Sequence, residues 1–394
     1  MNLCTACDKE NREHAPFCGY CGQPLPRAAK TPVGALRISG AQTGSAPRSE
    51  AEGGQIHRLS FHGAAGSLFG IHIVNIFLTL ITLGVYYFWG KVRVRRYLFS
   101  QTEFAGDRFA YYGAGEELLI GFLKAAVVFG LPLGLLHVVR NLPGVGAGVK
   151  AVAAVLMYGT FLVLLAVATV GGRRYRLSRT SWRGIRFSFR GRTGEFLKLS
   201  LQGLCLTAIT LGLYYPFFVT RRYDFLTSHS YFGSQQFHFD GRGPDVLGLY
   251  CAQFMTLLLS VLLVVFVATS LLPVSWVAVG FPLLLLFIGG FWWCSFSAAK
   301  QRYFWAHTSL STARFHSTVA GRRLFSLYLG NLLLLLFTLG LGWPWGVARK
   351  VRYVFANLTL EGALDPSTIR QEAQSASATG EELADFLSLD VDLG

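Results

Sequence analysis

The chain has 394 residues, of which 52% are hydrophobic and only 14% are charged. Soluble domains carry about a quarter charged residues, so the composition excludes an ordinary soluble protein and indicates a membrane protein. The formal net charge is +15, and the basic residues lie mainly at the ends of apolar segments, where loops meet anionic lipid headgroups. We therefore predict a lipid bilayer with anionic headgroups as a partner, and no nucleic acid.

The first residues contain two C-x-x-C pairs, in "CTACDKENREHAPFCGYCG". Four thiolates in two tight turns suit tetrahedral zinc, and a closed shell of four leaves no open position for catalysis. The layout resembles the short zinc-ribbon domains fused to bacterial membrane proteins. We predict a structural zinc ribbon at residues 1–25, which needs the metal to fold, and a flexible linker at 26–56. The predicted zinc ligands are Cys4, Cys7, Cys18 and Cys21.

One motif occurs three times: an apolar run, a glycine, aromatic residues and then basic residues. The copies are "TLITLGVYYFWGKVRVRRY", "TAITLGLYYPFFVTRRY" and "LLFTLGLGWPWGVARKVRY", and successive copies are about 128 residues apart. A fixed spacing of this length indicates duplication of a structural unit. We predict membrane repeat 1 at 57–184, membrane repeat 2 at 185–312, a partial repeat 3 at 313–364, and an acidic disordered tail at 365–394.

Short segments between the apolar runs alternate as strands do, at residues 108–111 and 186–189. A glycine before each segment offers a turn, so we predict small β-hairpins on the membrane surface. The predicted fold is an all-α polytopic membrane protein with tandem repeats of about 128 residues, small surface β-hairpins between helices, and an N-terminal zinc ribbon.

The repeated motif also carries a family resemblance. The "TLGxYYPF/W" pattern, the Arg-Arg-Tyr that follows it, and "FxFxG" before the next segment resemble the YjgN-like family of bacterial inner-membrane proteins of unknown function. The resemblance covers roughly residues 57–364. It implies a multi-pass protein of the bacterial cytoplasmic (inner) membrane, and it brings no activity or catalytic residue.

Basic residues distinguish two membrane topologies. Four apolar runs are long enough to cross about 30 Å of hydrocarbon, at 118–139, 151–170, 246–272 and 274–299. If the motif segments also cross, 16 basic residues lie outside and 10 inside; if those segments return to their side of entry, 2 lie outside and 24 inside. The second count follows the positive-inside tendency and predicts broken, re-entrant motif segments, with the N-terminus and basic loops in the cytoplasm. A plain spanning helix ending in an aromatic belt remains the alternative. The motif segments are 68–90, 199–219 and 324–348.

Broken helices expose unpaired backbone groups and often form binding sites in transporters. The candidate repeat-core residues are Thr82, Gly84, Tyr86, Tyr87, Thr210, Gly212, Tyr214, Tyr215, Pro216, Thr338, Gly340, Trp343 and Pro344. Helix packing and interfacial anchoring are the alternative roles for these side chains. The candidate headgroup-binding residues are Arg95, Arg96, Arg173, Arg174, Arg221, Arg222, Arg302 and Arg352.

The sequence contains no paired carboxylates on one face, no nucleophile with a base at recognisable spacing and no phosphate-binding glycine loop. We therefore predict that the chain is not an enzyme. The preferred function is binding or moving a lipid or small solute through a core of repeated broken helices. The alternative is a non-transporting scaffold that recruits protein partners through the zinc ribbon and the acidic tail. The sequence specifies no oligomeric state.

Overall fold

The computed structural model describes residues 2–3, 10–11, 56–271, 274–362 and 369–371. The chain divides into two compact units, residues 1–53 and 54–394. In the first unit Asn2–Leu3 pairs antiparallel with Glu10–Asn11. The four cysteines predicted to bind zinc lie outside the described residues, so the zinc ribbon stays a prediction. Within the described ranges, no cluster of three or more His, Cys, Asp or Glu side chains could hold a metal.

Helices make up most of the second unit. Their bounds are α1 Ala65–Ile81, α2 Tyr87–Ser100, α3 Gly115–Ala125, α4 Leu131–Asn141, α5 Ala147–Ser178, α6 Thr193–Ile209, α7 Tyr215–Ser228, α8 Gly243–Leu271, α9 Val274–Ala306, α10 Gly321–Phe337 and α11 Trp343–Ala356. A π-helical segment, Ala126–Gly130, joins α3 to α4.

Ten short strands of the second unit form one closed antiparallel barrel. They are β1 Ile56–Phe61, β2 Thr102–Phe104, β3 Asp107–Tyr111, β4 Thr180–Trp182, β5 Ile185–Phe189, β6 Ser230–Phe232, β7 Gln235–Phe239, β8 Thr308–Leu310, β9 Ala313–Ser317 and β10 Leu358–Glu361. Each strand pairs with its neighbours in chain order, and β10 pairs with β1 to close the ring, with Leu360 opposite His57.

The second unit repeats one local arrangement five times, as a strand, a helical hairpin and a second strand. The hairpins are α1–α2, α3–α5, α6–α7, α8–α9 and α10–α11. The two strands of each arrangement pair where the hairpin attaches, as at Phe61 with Thr102 and Phe189 with Ser230. Tight turns at 105–106, 183–184, 233–234 and 311–312 connect consecutive arrangements at the opposite rim. Every hairpin therefore leaves the barrel and returns to it at the same rim.

The predicted all-α fold with separate surface hairpins is wrong, because the hairpins join into one closed barrel. The predicted strand segments at 108–111 and 186–189 do lie in β3 and β5. A separate hairpin leaves two edges of unpaired N–H and C=O groups, and barrel closure removes these edges. The predicted repeat boundaries at 184 and 312 fall in the tight turns between β4 and β5 and between β8 and β9.

Apolar side chains fill the inside of the barrel. A single hydrophobic cluster contains a residue from each of the ten strands. Its most buried aromatic members are Phe232 at 1%, Trp182 at 2% and Phe104 at 7% exposure. The indole Nε1 of Trp182 donates to the backbone oxygen of Phe104 at 3.1 Å. The barrel is therefore a packed core rather than an open tube.

Four helical segments are long and apolar enough to cross a membrane: Gly115–Asn141, Ala147–Ser178, Gly243–Ala268 and Gly280–Ala306. They overlap the four predicted runs, so the prediction of four long apolar helices is confirmed. The first helices of the other three hairpins have 17 residues each, whereas α8 has 29. At 1.5 Å per residue, α6 extends about 18 Å less far from the barrel rim than α8. The three motif segments are thus short helical hairpins.

Candidate functional site

A threonine stops the first helix of each short hairpin and starts the second. The Thr210 hydroxyl donates to the Leu206 carbonyl at 2.7 Å and accepts from the Tyr214 amide at 3.0 Å. Thr82 and Thr338 make the same pairs of hydrogen bonds at their tips. Side-chain oxygens that accept from backbone N–H groups satisfy the donors that a helix start leaves unpaired.

The two residues after each threonine form the tight turn itself. Leu211 has φ 51° and Gly212 has φ 95°, and the Gly212 amide donates to the Thr207 carbonyl at 2.7 Å. This bond to a carbonyl five residues back is typical of a helix end with a left-handed cap. The turns at 83–84 and 339–340 have the same geometry. The "TLG" motif therefore encodes a reversal of chain direction.

Each turn presents an almost fully exposed leucine. Leu83, Leu211 and Leu339 are 94%, 95% and 93% exposed. Proline follows in the first turn of α7 and α11, where it costs no hydrogen bond. Phe88 takes this place in α2, and the turn before it is unchanged. Apolar tips at this distance from the barrel suit a lipid environment.

The structure does not gather the candidate repeat-core residues into one site. They lie at the tips of three hairpins, and the α6–α7 hairpin packs against α5 and α8 rather than against the other two. The α1 helix packs against α11, where the His72 ring stacks on the Trp343 ring at 4.9 Å. The first and third copies are thus neighbours, and the middle copy stands apart.

Four of the candidate headgroup-binding arginines link one arrangement to the next. Each lies on the second helix of a hairpin and donates to a backbone carbonyl at the start of the following hairpin. The pairs are Arg96 with Gly113 at 3.3 Å, Arg174 with Gly191 at 2.6 Å, Arg302 with Val319 at 2.6 Å, and Arg352 with Gly63 at 3.3 Å. The last pair joins the end of the ring to its beginning. These arginines therefore help to hold the ring together.

The remaining candidate arginines have different surroundings. Arg95 donates to the Tyr111 hydroxyl at 3.5 Å, and Arg173 donates to the Ser230 hydroxyl at 3.2 Å. The Arg222 guanidinium lies 5.8 Å from the centre of the Phe196 ring. Arg221 is exposed and lines a cavity.

This cavity has a volume of about 300 Å³ and lies entirely within the α6–α7 hairpin. Its lining residues are Glu195, Lys198, Leu199, Gln202, Gly203, Tyr214, Phe218 and Arg221. Because α6 and α7 run in opposite directions from a common turn, Lys198 and Arg221 lie towards the barrel and Tyr214 lies towards the tip. The lining is therefore charged at the barrel end and apolar around Phe218.

A close contact between Gly203 and Phe218 sets the spacing of the two helices at the cavity. A Cβ atom on Gly203 would lie 1.9 Å from Cδ2 of Phe218, so only glycine leaves room for the ring. The other two short hairpins have asparagine opposite glycine at these positions. There the side-chain amide donates to the glycine carbonyl, at 3.1 Å for Asn75 and Gly90 and at 3.2 Å for Asn331 and Gly346.

The side chains that line the cavity carry a net positive charge, because Lys198 and Arg221 outnumber Glu195. Glu195 lies 3.9 Å from Arg192, and both side chains are largely exposed. Lys198 and Arg221 form no ion pair with any residue that the structure describes. The exposed cations Lys198 and Arg221 and the buried ring of Phe218 line the same cavity. This combination suits a ligand in which an anionic group is joined to an apolar chain.

Sequence reasoning found two lining residues, Tyr214 and Arg221, and missed Lys198, Gln202 and the Gly203–Phe218 pair. One signal was present, because Asn75 and Asn331 match across the repeat while Gly203 stands between them at the same spacing. A glycine in that place marks the hairpin whose helices pack differently.

The comparisons with known proteins agree with the membrane architecture. The sequence model of DUF898, described as a bacterial protein of unknown function, matches residues 56–386. The chain belongs to this family. No solved structure matches the chain significantly.

Three curated relatives carry the name inner membrane protein YjgN. The relative from Salmonella typhimurium strain LT2 is 30% identical over 166 residues, or 42% of this chain and 40% of the relative. The relative from Escherichia coli K12 is 34% identical over 156 residues, or 40% and 37%. The relative from Escherichia coli O157:H7 is 35% identical over 133 residues, or 34% and 31%. The chain thus spans two fifths or less of the length of these relatives. Together with the four apolar helices, the relatives support an inner-membrane location.

Proposed function

We propose that this DUF898 member binds an anionic phospholipid in the cavity of its α6–α7 hairpin. The observation that carries the proposal is the lining of this cavity, which combines the cations Lys198 and Arg221 with the apolar side chains of Leu199 and Phe218. A phosphate oxygen accepts strong hydrogen bonds from lysine and arginine, while an acyl chain gains free energy by covering the apolar surface.

The direction of the hairpin supports this assignment. Its charged end lies next to the barrel, and its tip ends in Leu211, which is 95% exposed. In a bilayer this orientation sets the cations at the headgroup level and the tip in the hydrocarbon, because lysine and arginine extend their charged ends towards the interface. The side of the membrane that holds the barrel stays a prediction, with the cytoplasm favoured by the basic loops.

Native mass spectrometry with added phosphatidylglycerol tests the proposal. We expect Lys198→Gln combined with Arg221→Gln to lower lipid retention at least tenfold, because the loss of even one charge-assisted hydrogen bond costs roughly 1.5–3 kcal/mol and tenfold corresponds to about 1.4 kcal/mol. The matched control is Arg93→Gln with Arg349→Gln, since these exposed arginines occupy the positions of Arg221 in the other two short hairpins.

Equal retention by the two double variants would contradict the proposal. Loss in both would mean that retention depends on general surface charge rather than on the cavity. Transport of the lipid is a further step, and the filled barrel gives it no open path through the described strands. The scaffold alternative stays a prediction, because the segments assigned to partner recruitment lie largely outside the described residues.

A further inference from the structure

Four arginines form a belt around the outside of the barrel: Arg58, Arg108, Arg186 and Arg314. Each immediately precedes a residue of the hydrophobic cluster inside the barrel, on β1, β3, β5 and β9. Successive residues of a strand point to opposite faces, so the belt faces outward. All four are exposed.

Few acidic side chains of the described residues neutralise this belt. Arg58 lies opposite Thr359 and Arg186 opposite Ser181, whereas Arg314 lies opposite Ser309 on one side and Glu361 on the other. Glu103 lies opposite Arg108, and Asp240 pairs with Arg314 at 2.7 Å. The belt therefore keeps a positive charge on β1 and β5.

Three described residues near the end of the sequence, 369–371, lie beside this belt. Ile369 is 8% exposed and belongs to the cluster inside the barrel. The Arg186 amide donates to Oε1 of Gln371 at 2.8 Å, and the Arg370 amide donates to the Ser234 hydroxyl at 3.3 Å. Residues 369–371 thus lie next to β5 at the rim formed by the tight turns.

The segment that follows is acidic. Residues 372–394 contain no Lys, Arg or His, and they carry six acidic side chains: Glu372, Glu381, Glu382, Asp385, Asp390 and Asp392. An extended chain of this length reaches at most about 76 Å. Ten strands spaced about 4.8 Å apart give a barrel circumference of roughly 48 Å, so the segment is long enough to reach every arginine of the belt.

We infer that residues 372–394 dock on the arginine belt of the same chain. Opposite charge supplies the attraction, and the anchoring at Ile369 makes the encounter intramolecular, which raises the effective concentration to the millimolar range. The docked segment covers the belt and so competes with any other anionic partner at this surface. The inference is independent of the lipid site in α6–α7.

Zero-length carbodiimide crosslinking of the full chain in detergent tests the docking. In a variant with Arg58→Lys, Arg108→Lys and Arg186→Lys, the belt keeps its charge and gains amines that couple to nearby carboxylates. We expect mass spectrometry to find amide links from these lysines to residues 372–394, about tenfold more abundant than links from Arg349→Lys on α11. A salt concentration of 1 M should remove most of them, because the screening length falls to about 3 Å.

A second variant, with the six acids replaced by Asn or Gln, leaves the sequence of the barrel unchanged. It tests the docking independently of how the triple variant folds. This neutral tail should raise the reactivity of the native Arg58 and Arg186 side chains towards an arginine-specific dicarbonyl. Two results overturn the inference: no excess of tail links from the belt, or links that join differently isotope-labelled copies rather than one chain.

Discussion

Replacing Trp182 by alanine is expected to destabilise the barrel by about 3–5 kcal/mol, as large-to-small changes of buried aromatic residues do. The side chain is 2% exposed, lies 5.1 Å from the Phe104 ring and 5.7 Å from the Phe232 ring, and ties β4 to β2 through its indole N–H. Its removal opens a cavity among side chains from several strands. The apparent melting temperature of the purified protein in detergent measures the effect.

The matched control for this variant is Trp293→Ala on α9, whose side chain is 60% exposed. It removes an equal volume from the apolar surface of a predicted spanning helix, so we expect a much smaller change in melting temperature. Equal shifts for Trp182→Ala and Trp293→Ala would mean that the interior of the barrel does not carry the stability of the fold.

Gly203→Ala is expected to separate α6 from α7, since the new Cβ would overlap the Phe218 ring. Overpacking of this kind typically costs about 1–3 kcal/mol, and the shifted ring should also narrow the cavity and lower phosphatidylglycerol retention. The control is Gly66→Ala on α1, where a Cβ meets no atom within 4 Å. There we expect no loss of stability, because the new methyl group meets no other atom.

A rescue experiment separates packing from lipid binding. Gly203→Asn with Phe218→Gly copies the pairs Asn75–Gly90 and Asn331–Gly346 into the middle hairpin. We expect this double variant to melt closer to the unmodified protein than Gly203→Ala does, while the loss of the Phe218 ring still weakens lipid retention. Identical melting of Gly203→Ala and Gly66→Ala would contradict the proposed helix contact.

The local elements of this fold could be predicted from the sequence, because each depends on residues that are close together in the chain. The apolar runs around Ala151 and Val246 became helices, and the alternation at Arg108 became a strand. Closure of the barrel was not predictable in the same way, since β10 and β1 are separated by nearly the whole second unit. Three-residue strands such as Thr180–Trp182 are also too short for a period of two to stand out.

The candidate site was predicted only in part, for a related reason. The motif residues Thr210 and Gly212 were conspicuous because they recur, yet their hydrogen bonds build the turn. Arg174 and Arg302 recur as well, and they bind carbonyl groups of the next hairpin. The cavity lies where the repeat differs, at Gly203. Residues that recur between hairpins therefore reveal the turn and the ring contacts, but they do not reveal what distinguishes the α6–α7 hairpin.

An epitope-insertion map in intact cells tests the central claim most directly, namely that every helical hairpin leaves and re-enters one rim of a closed barrel. Tags would be placed in the β-turns at 105–106, 183–184, 233–234 and 311–312, and in the α4–α5 connection at 142–146. The structure predicts that all four β-turns report on one side of the membrane and that the α4–α5 connection reports on the other. A β-turn at 233–234 on the side opposite to that at 183–184 would contradict the account, because the α6–α7 hairpin would then span the membrane and the barrel could not close.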